Sequence, residues 1–151
     1  MNRILIITDI DQIVGLRFDF IATETDIDKK DRESLTANLR KYFEEALSDG
    51  TFTAYGYFID NKIVSTAFLI TDKRPPGLKN PTGIYGTVMN VLTYSDFRGK
   101  GYATAVMKYL IGDAQSKGVK ILDLYATGEG KPLYEKLGFK DVEYTAMWMK
   151  L

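Results

Sequence analysis

Apolar positions along the chain switch between a helical period and a strand period, and the switches define the predicted elements. Arg3 to Ile7 is a short apolar run that reads as a strand. Behind Asp9, a residue of N-cap type, Ile10, Ile13, Val14, Leu16, Phe18 and Ile21 recur at helical spacing and predict a helix to about Ala22. The polar stretch from Thr23 to Asp28 is a turn. Leu35, Leu39, Tyr42, Phe43, Ala46 and Leu47 then mark one face of an amphipathic helix from Lys29 to Leu47. Ser48-Asp49-Gly50 closes it, with Gly50 free to turn left-handed.

From Thr51 the period changes. Thr51 to Ile59 and Lys62 to Thr71 read as strands joined at Asp60-Asn61, an antiparallel hairpin. Asp72 to Gly83 holds three of the four prolines and reads as a loop. Ile84 to Thr93 is a long β-favouring run, and Tyr94 to Gly99 a polar connection. A helix is predicted from Gly101 to Lys117, with Ala105, Val106, Tyr109, Leu110 and Ala114 along its apolar side. Lys120 to Ala126 reads as a strand, Lys131 to Leu137 as a short helix ended by Gly138, and Val142 to Lys150 as a closing strand. The order β-α-α-β-β-β-α-β-α-β fits an α/β (α+β) fold: a twisted, mixed, mostly antiparallel sheet flanked by helices. No repeat or linker divides the chain, so residues 1–151 are expected to form one domain.

Composition narrows the chemistry. There is no cysteine and no histidine, which removes disulfides, thiolate and imidazole catalysis, and the commonest metal ligands. No metal is expected. The formal charge is zero, so bulk charge makes no case for a nucleic-acid partner. No apolar stretch approaches the ~20 residues of a membrane span. No N-terminal targeting segment is recognisable, and the chain reads as cytoplasmic. The charge is uneven: Asp9 to Asp49 holds eleven acidic and six basic residues, and the remainder is correspondingly basic. A basic half suits an anionic cofactor, and an acidic half suits a cationic acceptor.

Arg98-Gly99-Lys100-Gly101-Tyr102-Ala103 lies between a β-run and a helix. A helix start offers unpaired N–H groups and partial positive charge, so it receives anions. Gly99 and Gly101 let the backbone approach a bulky phosphate, while Arg98 and Lys100 add charge. The segment is neither a P-loop nor a dinucleotide fingerprint.

The spacing Arg98-x-x-Gly101-x-Ala103 resembles the acyl-CoA signature [QR]-x-x-G-x-[GA] of the GNAT superfamily of N-acetyltransferases. Leu133-Tyr134-Glu135-Lys136-Leu137-Gly138-Phe139 resembles that superfamily's L-Y-x-x-x-G-F segment, in the right order with helix and strand between. The resemblance spans roughly Thr51 to Leu151. It implies a sheet splayed between the strand ending at Thr93 and the strand ending at Ala126, with acetyl-CoA in the split. It assigns the pyrophosphate to Arg98, Gly99, Lys100, Gly101, Tyr102, Ala103 and Thr104. The pantetheine arm falls to Val91, Leu92 and Thr93, with the Val91 N–H toward the thioester carbonyl. Many members carry an asparagine seven residues before the tyrosine, where this chain has Thr127. Many also dimerise, so a homodimer is among the expectations.

Acetyl transfer must deprotonate the amine, stabilise the tetrahedral oxyanion and protonate the departing thiolate. The resemblance gives the last task to Tyr134, whose phenol with pKa ~10 is protonated at neutral pH. A preorganised backbone N–H at Val91 suits the second. For the first, family members often use a glutamate on the strand before the phosphate loop, but Thr87 to Thr93 holds no carboxylate. Glu24, Glu44, Glu45 or a water chain remain as bases. Without cysteine, direct attack in a ternary complex is expected, on a primary amine of a small molecule or peptide. Tyr85, Tyr144 and Trp148 are weighed as acceptor-lining residues. The competing expectation is a non-catalytic acyl-CoA-binding regulatory module.

Overall fold

The computed structural model describes all 151 residues. Its elements are β1 (Asn2–Leu5), α1 (Ile10–Ala22), α2 (Lys29–Asp49), β2 (Phe52–Ile59), β3 (Lys62–Lys73), β4 (Ile84–Thr93), α3 (Tyr102–Ser116), β5 (Ile121–Asp123) and α4 (Lys131–Lys136). Short 3-10 turns at Ile7–Asp9 and Ser95–Phe97 precede α1 and α3.

The five strands lie in the order β1-β2-β3-β4-β5, antiparallel except for the parallel pair β4 and β5. β3 is central and buried almost throughout, because helices cover both faces. One face carries α1 and α2, whose Ile13, Leu16, Phe18 and Phe43 pack with Phe52 and Phe68 of the sheet. The other carries α3, whose Val106, Met107 and Leu110 meet Tyr55, Leu69 and Val88. Strand alternation explains the division: on β3, Phe68 faces α2 and its neighbours Ala67 and Leu69 face α3.

Local chemistry fixes the corners. Asp28 caps α2 by accepting the Asp31 N–H at 2.7 Å, and Gly50 ends it at φ 76°. Asp60 and Asn61 both take positive φ, as a two-residue hairpin turn of type I′ demands. Asp9 does not cap α1 with its side chain. Its carboxylate instead accepts from the Ile6 N–H at 2.8 Å and pairs with Arg3.

Two sequence expectations are corrected. Tyr109 is not on the buried face of α3; Met107 takes that place and Tyr109 stays partly exposed, because its ring lies edge-on against Tyr55 at the rim. Val142 to Lys150 forms no strand. Residues 140–151 make no backbone–backbone hydrogen bond, and the apolar side chains among them are exposed. A β-favouring pattern sets a preference for extended backbone, but a strand needs a hydrogen-bonding neighbour, and the segment lies against none.

Candidate functional site

β4 and β5 pair only from Tyr85↔Ile121 to Thr87↔Asp123. Beyond Thr87, β4 runs six residues further to Thr93 with no partner on its β5 side, while Leu124 to Ala126 leave the sheet. The sheet is therefore split where the sequence expected it, with Thr87 and Asp123 at the apex.

β4 also carries a bulge. Its register against β3 shifts between Thr66↔Leu92 and Phe68↔Met89, so Asn90 and Val91 together oppose Ala67. Asn90 has φ 56°, a left-handed conformation that asparagine tolerates better than most residues. Its buried side chain turns toward α1: Nδ2 donates to the Leu16 carbonyl at 3.1 Å, and Oδ1 accepts from Arg17 Nη1 at 3.3 Å. Burial lowers the Arg17 pKa from its ordinary value, opposed by the nearby Glu24 charge. Tyr94, just past β4, donates to Asp19 of α1 at 2.6 Å, and burial and that carboxylate raise its pKa. The helix thus holds both ends of the bulged segment.

After the bulge, Val91 returns to the α3 face and borders the same apolar cluster as Leu124 and Tyr134. Leu92 is buried at 8 % exposure, so only its main chain is available. The Thr93 hydroxyl is bound to Ser65 at 2.8 Å, and its carbonyl accepts Arg98 Nε at 3.0 Å.

The loop from Arg98 to Gly101 is shaped by two left-handed glycines, Gly99 at φ 72° and Gly101 at φ 82°. Gly101 is the N-cap of α3 and supplies no side-chain cap. The first loop or cap bond of the helix is from the Ala105 N–H to the Gly101 carbonyl at 3.0 Å. The amides of Gly99, Lys100, Gly101, Tyr102, Ala103 and Thr104 have no acceptor among the loop and cap bonds. Lys100 folds back over Phe97 and donates to the Asp96 carbonyl at 3.2 Å. Free amides, the positive end of a fifteen-residue helix and two nearby cations make an anion cradle suited to a diphosphate.

Tyr134 sits on α4 with its ring edge-on to Phe139 at 5.9 Å. Its hydroxyl has no hydrogen-bond partner in the protein, and burial raises its pKa. A Cβ on Gly130 would lie 3.1 Å from the ring, so the smallest residue admits it. Thr127 plays a local part: its Oγ1 accepts from the Gly130 N–H at 3.1 Å and its carbonyl from Lys131 at 3.0 Å, which starts the turn into α4.

The carboxylate missed by sequence reasoning is Asp123. It accepts from Thr87 Oγ1 at 2.5 Å and from Arg74 Nη1 at 3.1 Å. Leu122 and Leu124 border the α3 cluster, so alternation turns Asp123 to the α1 face. Arg74 also pairs with Asp72 and lies 4.3 Å over the Tyr85 ring, which brings Tyr85 to this cluster. No local motif marks Asp123; only the β4–β5 register sets it beside Thr87. Glu24, Glu44 and Glu45 are exposed, and Glu44 pairs with Arg40 on α2, which packs on β2 rather than at the split. Tyr144 and Trp148 lie on the exposed segment after Asp141 and line nothing. A groove of about 480 Å³ between β1 and the end of α2 is lined by Glu44 but by none of the other residues weighed for the site.

A split sheet, a strand bulge and an amide cradle define an acyltransferase architecture. Residues 18–139 match the model of the Acetyltransferase (GNAT) family, and the chain belongs to that family. It is similar to a predicted acetyltransferase of Clostridium acetobutylicum solved with acetyl-CoA, at 27 % identity and TM-score 0.86, over 100 % of this chain and 94 % of that one. A GCN5-related N-acetyltransferase of Ralstonia eutropha JMP134 shares the fold at 20 % identity and TM-score 0.83, over 99 % and 97 % of the two chains. An uncharacterized N-acetyltransferase of Methanocaldococcus jannaschii is 34 % identical over 59 residues, which are 37 % of this chain and 26 % of that protein. The match thus spans about a quarter of that relative's length. No helix is long and apolar enough to cross a membrane.

Proposed function

We propose that residues 1–151 act as one N-acetyltransferase domain that takes acetyl-CoA and passes its acetyl group to a primary amine of a small molecule or peptide. The observation that carries this reading is the run of unpartnered amides from Gly99 to Thr104 beside the unpaired flank of β4. The similar Clostridium acetobutylicum protein was solved with acetyl-CoA, which supports the same co-substrate here.

The amides of Gly99 to Thr104, with Arg98 and Lys100, hold the pyrophosphate. The main chain of Val91, Leu92 and Thr93 receives the pantetheine arm, and the Val91 N–H stabilises the oxyanion. Asp123 takes a proton from the acceptor ammonium, directly or through water. The amine nitrogen then bonds to the thioester carbon, the C–S bond breaks, Tyr134 gives its proton to the thiolate, and the second proton that the nitrogen sheds returns the tyrosinate to the phenol, directly or through water. Thr127 lies close enough to Tyr134, across Gly130, to meet the same cofactor arm. The acidic stretch from Asp9 to Asp49 favours a cationic acceptor such as a polyamine or a lysine-like amine.

The test is thiol release from acetyl-CoA with a panel of amines, beside calorimetry with CoA alone. Release with at least one amine, together with CoA binding, is expected. Binding without release on any amine would mark a regulatory acyl-CoA-binding module instead. No heat of binding, unchanged by reversing the charge at Arg98, would end the assignment.

A further inference from the structure

Arg17 is the half-buried arginine that the fold leaves without a counter-ion. Of the six arginines, Arg3, Arg40 and Arg74 pair with carboxylates, while Arg32 and Arg98 are exposed. Arg17 lies between the buried Leu16 and Phe18 of α1 and makes no ion pair. Of the five N–H donors of a guanidinium, one finds Asn90 Oδ1 at 3.3 Å, and the Phe20 ring centre lies 5.8 Å away. Glu24, two turns further along α1, acts on Arg17 only through space and is itself exposed, and Asp19 is taken by Tyr94. A charge drawn partly out of water and met only by a neutral amide costs free energy until an anion pairs with it.

The place of Arg17 in the fold points to the source of that anion. Asn90 is the bulge residue next to Val91, whose N–H faces the thioester in the proposed reaction. Val88 packs toward α3, so alternation turns Thr87 and Met89 to the α1 side of β4, where the Asn90 side chain also points. Thr87 carries Asp123, Asn90 carries Arg17, and Met89 lies between them, half-buried against the α1–α2 layer. Three residues of strand separate the two charges by about 10 Å. Two charged hydrogen bonds of about 2.8 Å leave roughly 4 Å between an amine at Asp123 and an oxyanion at Arg17. That is a span of a few bonds within one small molecule.

We propose that the acceptor is a small zwitterion, an amine with a carboxylate or phosphate a few bonds away, whose oxyanion Arg17 binds while its ammonium meets Asp123 across Met89. The guanidinium fork suits either oxyanion, because both offer two oxygens to parallel N–H groups. Selectivity has the same origin. An acceptor with an amide or hydroxyl in place of the acid leaves Arg17 unmet, and a site with an unmet polar group rejects such an analogue. The inference rests on the acyl-transfer reading and narrows its acceptor from amines in general to amines that carry an acid group.

The test sets acids against their neutral counterparts: glycine, β-alanine and 4-aminobutyrate against their carboxamides, and 2-aminoethyl phosphate against ethanolamine. Calorimetric titration into the full chain, with and without CoA, reads binding free of turnover, and thiol release from acetyl-CoA gives kcat/KM. At least one acid should be preferred about 30-fold over its counterpart, as a charge-assisted hydrogen bond allows. The carboxylate and phosphate arms tell the two oxyanions apart. Arg17→Gln keeps a donor for Asn90 and should bring the preference close to unity. Arg17→Lys keeps the charge without the fork and should retain part of it, which still decides the matter where the glutamine variant melts before assay. The preference is a ratio, so a general loss of fold or rate does not move it. Equal binding of acids and counterparts by the native chain, no acid binding, or a preference unchanged in Arg17→Gln would overturn the proposal. Acid binding through Arg17 without thiol release would sink acyl transfer and leave the anion site standing. Release at equal rates on both sets would sink this inference alone.

Discussion

In the proposed reaction, Tyr134 and Asp123 divide the proton traffic between the two faces of the sheet. Tyr134 borders the α3 cluster with an unpartnered hydroxyl, and burial raises its pKa above the ordinary ~10. A general acid works in its protonated form, so a raised pKa extends activity upward in pH. The alkaline fall in kcat caused by this group should therefore lie above pH ~10, and Tyr134→Phe should lower kcat about 10²-fold. Acetyl-CoA affinity by calorimetry should stay near the native value; an unchanged kcat would remove the acid role. Asp123 receives both Thr87 and Arg74. Asp123→Asn should reduce kcat/KM about 10²-fold at neutral pH. The deficit should narrow as pH approaches the ~10.4 of an alkyl amine, which then arrives already deprotonated. A deficit constant across that range would point to lost geometry rather than a lost base. Tyr134 was legible in the sequence because its motif is local. Asp123 was not, because what singles it out is a neighbour 36 residues away.

Among the elements, the start of α3 is the one where backbone shape and chemistry coincide. A Cβ on Gly101 would meet nothing within 4 Å, yet the residue sits at φ 82°. Gly101→Ala therefore tests conformation rather than crowding. It should cost about 1–2 kcal/mol and raise the KM for acetyl-CoA several-fold. Gly112→Ala makes the control: it lies inside the same helix with open space around it and no positive φ, and should raise stability by about 0.5–1 kcal/mol. Thermal melts and initial rates of the two variants check both. Helix and strand bounds were mostly readable, because capping and periodicity act over a few residues. Ile84–Thr93 and the hairpin at Asp60-Asn61 appear where the pattern sets them. The bulge at Asn90-Val91 was not readable, since it exists only against Ala67 of β3 and under the grip of Leu16 and Arg17.

At the scale of the whole molecule, two apolar layers hold a sheet that is open along half of one strand. Phe68 is 1 % exposed and meets both Phe43 and Phe52 edge-on, which ties α2 to the sheet. Phe68→Ala should destabilise by about 3–5 kcal/mol, read as a lower denaturation midpoint with an unchanged slope; a loss under 1 kcal/mol would mean the layer collapses around the gap. The sequence by itself determined the element order as far as α4, the two-glycine turn before α3 and the place of the tyrosine, because periodicity, capping chemistry and a motif are properties of neighbouring residues. The tertiary structure alone decided where β4 and β5 part, which carboxylate stands at their junction, and that Val142–Lys150 finds no strand partner within its own chain. Those depend on registers between distant segments, and a hydrophobic pattern fixes which face is buried without fixing how far two strands stay paired.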